Sequence, residues 1–121
     1  MANRDVSLDA LLQLDGESFV VNPEDGCWTS FLAKQVPATA ERPHGLRYSL
    51  TLHDGYGERL LGFDNAHPIQ EVAGPGAKTR IEYDHKHLGE RVRFYEYADA
   101  ATLLVDFWSE ADSILRRRNS T

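Results

Sequence analysis

Two short polar clusters hold the side chains that acid–base or metal chemistry requires. Phe63-Asp64-Asn65-Ala66-His67 closes one hydrophobic run, and Tyr83-Asp84-His85-Lys86-His87 closes another. Between them lie three of the five histidines. An imidazole titrates near neutrality, so a histidine cluster can move protons or, when neutral, ligate a metal. If a strand runs to residue 87, His85 and His87 share the core-side face with Ile81 and Tyr83, and Asp84 and Lys86 point the other way. Asp64 and His67 end a second strand and can meet them.

Three chemistries fit. In the first, His67, His85 and His87 hold a divalent ion with Asp64 assisting, since catalytic zinc uses three protein ligands and keeps an open position. In the second, no cofactor is needed. One imidazole takes the proton of an RNA 2′-hydroxyl, another protonates the leaving oxygen, and Lys86 or Arg93 steadies the phosphorane. In the third, the clusters are structural: Asp and Asn at a strand end bond nearby backbone and start a turn. His-x-His completes no known metal spacing, so all three stay open here.

The elements that must position these groups are read from periodicity. Ser7 is a helix N-cap before Leu8, Leu11, Leu12 and Leu14, and Asp15-Gly16 stops that helix. Residues 17–22 and 27–36 are strand-like around the turn Pro23-Glu24-Asp25-Gly26. The clearest strand is 45–53, where Leu46, Tyr48, Leu50 and Leu52 alternate with Arg47, Ser49, Thr51 and His53. Asp54-Gly55-Tyr56-Gly57 turns the chain into 58–64. Residues 79–85 and 91–97 are further strands, after a loop centred on Gly74-Pro75-Gly76. Asp99 caps a long amphipathic helix whose stripe is Leu103, Leu104, Phe107, Trp108, Ala111, Ile114 and Leu115. Arg116-Arg117-Arg118 suits its C-terminal dipole and reads as a solvated end. The expectation is one α+β domain over residues 1–121, an antiparallel sheet of about five or six strands with a short N-terminal helix and the long C-terminal helix across one face.

Bulk properties narrow the function. The chain has 121 residues, 41% of them hydrophobic and 26% charged, which suits a globular domain. The net charge of −6 excludes general nucleic-acid coating, which needs a basic footprint, but allows a local basic groove. Residues 78–93 are locally basic, with Tyr83, Phe94 and Tyr95 among or beside the cations, and Phe94 with one tyrosine is expected in the core. Cys27 is the one cysteine, so no intrachain disulfide forms, and its place beside Trp28 marks it as a small buried hydrophobe. No apolar run reaches the ~20 residues of a membrane span and no signal-peptide pattern opens the chain, so the expected location is cytoplasmic. Exposed strand edges are compatible with a homodimer.

Three patches give the chain a family likeness: Arg47-Tyr48-Ser49-Leu50-Thr51-Leu52-His53-Asp54, Phe63-Asp64-Asn65-Ala66-His67 and Asp84-His85-Lys86-His87-Leu88-Gly89. In order and approximate spacing they resemble the TumE family of bacterial toxin–antitoxin toxins, over roughly residues 7–117. Two departures stand out. His67 is followed by Pro68 where members often carry a second histidine, and Asp84 stands where many have histidine. Asp84 therefore either replaces a ligand or an acid, or marks an altered activity.

The resemblance implies a small cytoplasmic toxin paired with a helix-turn-helix, DNA-binding antitoxin, and the residue chemistry adds RNA as the target to consider. In a nuclease version, His85 and His87 are the acid and base, while Asp64 and His67 orient them or complete a metal site. Arg47, Lys86 and Arg93 are phosphate contacts, and Tyr48 and Asn65 join them as substrate-binding residues. The alternative is a non-catalytic module that modulates transcription or a protein partner through the same clusters.

Overall fold

A computed structural model describes residues 6–40, 43–65 and 84–119. Helix α1 (Val6–Gln13) leads into strands β1 (Ser18–Asn22), β2 (Cys27–Gln35), β3 (Leu46–His53), β4 (Arg59–Asp64), β5 (His85–Leu88) and β6 (Arg91–Phe94), and helix α2 (Ala100–Asn119) follows. The six strands form one antiparallel sheet in chain order, as the α+β expectation required. The expected alternation in β3 is real: Leu46, Tyr48, Leu50 and Leu52 are buried and their neighbours are not. β2 alternates in phase with it, burying Cys27, Thr29, Phe31 and Ala33.

Those buried faces meet the helices. Phe107 of α2 packs edge-on against Phe31 and Phe63, with ring centroids 5.6 and 6.0 Å away. Leu11 of α1 joins Leu103 and Ala111 of α2 in the same core. Burying each large apolar side chain stabilises the fold by roughly 1.5–3 kcal/mol. Trp108 departs from the sequence reading. It sits at the edge of the core, 38% exposed, with its ring tilted against Phe31 at 5.9 Å.

Local chemistry sets the chain reversals and caps. Asp54 Oδ1 accepts from the backbone N–H of Tyr56 and Glu58, which closes the β3–β4 turn. Gly89 occupies the first turn position between β5 and β6 at φ +59°, the requirement of a two-residue II′ turn. Asp99 caps α2 through Thr102 N–H at 2.7 Å, as expected. Ser7 is not an N-cap. α1 starts one residue earlier, and the Ser7 hydroxyl accepts from Ala101 N–H at the start of α2.

The strand placed at 79–85 is described only from His85 onward, as β5. Residues 79–83 and the expected loop around Gly74 lie outside the described residues. Phe94 and Tyr95 divide the core expectation. Tyr95 packs edge-on against Phe63 at 4.9 Å, whereas Phe94 is 71% exposed on the other face.

Asn65 staples the sheet just beyond β4. Its Oδ1 accepts from Tyr48 N–H at 2.8 Å, its Nδ2 donates to Leu46 C=O at 2.7 Å, and its own N–H bonds Tyr48 C=O. Replacing Asn65 by Ala strands a buried donor and a buried acceptor of β3. The expected loss is about 2–4 kcal/mol, read as a lower urea midpoint at unchanged slope.

Candidate functional site

Strand register decides which side chains meet. β4 and β5 pair so that Phe63 opposes Lys86, Asp64 opposes His85 and Gly62 opposes His87. Phe63 and Leu61 point into the core under α2. Lys86 therefore shares the helix side, and Asp64, His85 and His87 share the opposite face of the sheet. This reverses the sequence expectation of a core-side histidine pair. The alternation was right, but its phase depends on the β4–β5 pairing.

On that opposite face, one ligand atom from each of Asp64, His85 and His87 lies within 4.8 Å of the other two. The imidazoles meet edge to face with centroids 4.7 Å apart. Asp64 and His85 are buried, at 3% and 2% exposure, and His87 is partly exposed, so solvent reaches the group from the His87 side. Burial comes first, and then the charges of Arg59 and His85, in pushing the His87 pKa down from 6.5 to about 4, against an upward pull from Asp64. A neutral imidazole at pH 7 is fit to accept a proton or to bind a metal.

The cations sort differently from the sequence reading. Lys86 lies 3.8 Å from Glu110 of α2 and 5.8 Å from the Phe63 ring centroid, on the helix side. Arg93 opposes Lys86 and shares that side. As phosphate contacts for the histidines, both are turned away by register. Arg47 alternates with buried Tyr48 and does lie on the histidine face. The residue the sequence reading missed is Arg59. Simple alternation back from Asp64 puts Leu60, not Arg59, on this face. A register shift between Leu52 and His53 pairs Arg59 with His53 instead. The side chain of Arg59 then runs over Gly62. A Cβ on Gly62 would meet Arg59 Cδ at 3.4 Å and His87 Cδ2 at 3.7 Å. Neither Arg47 nor Arg59 has an ion-pair partner among the described residues.

Tyr48, Asn65 and Asp84 belong to the framework under the site. Tyr48 and Asn65 are fully buried with their polar atoms turned to neighbours, so neither presents itself to a substrate. Tyr48 Oη donates to Asp84 Oδ2 at 2.8 Å, and burial pushes the phenol pKa far above its ordinary value. His44 Nδ1 accepts from Leu46 N–H, which leaves Nε2 to donate to both Asp84 oxygens at 3.0–3.1 Å. Asp84 is thus across the sheet from His85 and His87, and it replaces neither a ligand nor an acid there. His67 lies outside the described residues.

The depressed His87 pKa ties stability to pH. The unfolded imidazole binds its proton near pH 6.5 and the folded one only near pH 4. Stability should therefore fall as pH drops through that window and level off below it. Urea unfolding between pH 7 and pH 4, with a chelator present so that no ion competes with the proton, should show this slope. His87→Gln should flatten it.

Comparison with known proteins agrees with the likeness carried by the three patches. No curated protein and no solved structure matches the chain. The family model described as Toxin TumE matches residues 26–117, which include β2 to β6, nearly all of α2 and every member of the Asp64–His85–His87 group. The match spans most of the chain, and the protein belongs to the TumE toxin family.

Proposed function

We propose that this chain is the toxin of a toxin–antitoxin pair and that it cleaves RNA at the Asp64–His85–His87 group. The observation that carries this reading is the convergence of two imidazoles and a carboxylate within 4.8 Å, beside a guanidinium with no ion-pair partner among the described residues. Cleavage of a phosphodiester needs a proton removed from the attacking oxygen, a proton delivered to the leaving oxygen and compensation for charge on phosphorus. In the transesterification reading, the 2′-oxygen loses its proton and bonds to phosphorus while the bond to the 5′-oxygen breaks. That oxygen leaves with a proton. The products are a 2′,3′-cyclic phosphate and a 5′-hydroxyl.

The residues divide these tasks. The solvent side of the group is His87, next to Arg59, which is where a phosphate enters. Arg59 takes the phosphate's charge, because an arginine fork fits phosphate and no carboxylate among the described residues forms an ion pair with it. Arg47 lies on the same face, two residues along β3 from Ser49, which opposes Asp64. It meets the strand at a neighbouring phosphate. Exposed Phe94 opposes His85 on β6 and offers a ring for a base to stack on. The acidic body leaves specificity to this local surface and suits a basic, DNA-binding antitoxin as the neutralising partner.

The test is induced expression in a bacterial host together with purified protein on single-stranded RNA. Wild type should arrest growth and fragment RNA. His87→Gln should abolish both while antitoxin binding persists. Arg59→Gln should retain the fold and lose about 10–100-fold in kcat/KM, in line with one lost charge-assisted contact. Growth arrest with intact RNA, unchanged in both variants, would favour the non-catalytic module instead.

A further inference from the structure

We infer that Asp64, His85 and His87 form a binding site for a divalent transition-metal ion of the zinc type, each side chain supplying one ligand. The inference deepens the RNA-cleaving reading of the same group and rests on it for its role, though not for its existence.

Three observations support the site. The first is distance. Ligand atoms about 2.0–2.2 Å from a shared zinc ion in tetrahedral array are about 3.4 Å apart. The 4.8 Å bound on the three candidate atoms leaves a closing movement of at most about 1.4 Å, which imidazole and carboxylate rotations supply. The second is rigidity. All three residues stand on paired strands, Asp64 directly opposite His85 and Gly62 opposite His87, so the backbone already holds the donors in place. Gly62 puts no side chain between His87 and its neighbour strand, and the nearest atoms to a Cβ there belong to Arg59 and His87. The third is donor chemistry. Two imidazole nitrogens and one carboxylate oxygen suit zinc, cobalt, nickel or ferrous iron, whereas calcium and magnesium prefer all-oxygen sets.

Three ligands from one sheet face leave a coordination position turned toward solvent, on the side of His87 and Arg59. There a bound ion would polarise a phosphate oxygen or lower the pKa of a bound water. Arg59, whose side chain runs beside His87 over Gly62, sits where it can hold the phosphate against the ion. The ligand set differs from the one suggested by sequence: Asp64 is a direct ligand and not an accessory.

The experiment uses the full chain, stripped with chelator and titrated with Zn(II) and, as a spectroscopic probe, Co(II). Wild type should bind about one ion per chain, give visible Co(II) absorption bands and unfold at a higher temperature with the ion bound. His87→Gln should weaken binding by more than about 100-fold, since losing even an outer-shell partner costs ~10–100-fold. Asp64→Asn should shift the Co(II) spectrum. Lys86→Ala, next in sequence but on the other face, should bind as wild type does and shows that the effect is local. Absence of binding by folded wild type, or equal binding by His87→Gln, overturns the inference. RNA incubation separates it from the reading beneath it. RNA cut by stripped protein in chelator overturns the metal role and upholds the nuclease. Metal bound with RNA intact upholds the metal site and overturns the nuclease.

Discussion

The pairing of β4 with β5 is the interaction on which the rest of the site depends. Each strand alternates, so pairing Phe63 with Lys86 sends Phe63 into the aromatic core under α2 and sends Asp64, His85 and His87 together to the other face. A slip of one residue would exchange the two sets and bury two imidazoles against Phe107. The register is therefore held by the core: Phe63 contacts both Phe107 and Tyr95, and Leu61 and Leu50 pack beside it. The II′ turn at Gly89 then carries the same phase to β6.

A second set of interactions holds the ends of these strands. Asn65 fastens the end of β4 to β3, Tyr48 and His44 fasten Asp84 just before β5, and Tyr95 N–H bonds Asp84 C=O. Tyr95 Oη reaches Asp106 of α2 at 2.7 Å. Asp64 and His85 thus follow or precede residues pinned by buried hydrogen bonds, which net about 1 kcal/mol each but cost more when half broken. Such support keeps a polar group on a sheet face within the narrow geometry that proton transfer or metal ligation requires. Asp84, the departure from the family pattern, belongs to this support.

Family membership and geometry bear on different parts of the function. Membership in the TumE family supplies the toxin role. The geometry supplies a chemical centre and the cation beside it. The RNA cleavage proposed above would join the two, with a phosphate as both the attacked group and the one that Arg59 binds.

Much of this was legible in the chain itself. Period-two alternation in 46–53, the Asp54-Gly55 turn, the Asp99 cap and the apolar stripe of α2 are local properties, set by backbone geometry and near neighbours, and they predict the α+β sheet-and-helix fold. The residue types of the two clusters also pointed to Asp64, His85 and His87. Tertiary structure decided what local patterns cannot carry. Alternation does not state which face is the core, so Lys86 and Arg93 were assigned to a site they turn away from. A register shift is invisible to periodicity, so Arg59 was missed although it lies beside His87. Tyr48, Asn65 and Asp84 carry hydrogen-bonding groups that serve a ligand or a framework equally well. Only the partners brought from distant positions, His44, Leu46 and the backbone of β3, show that they serve the framework.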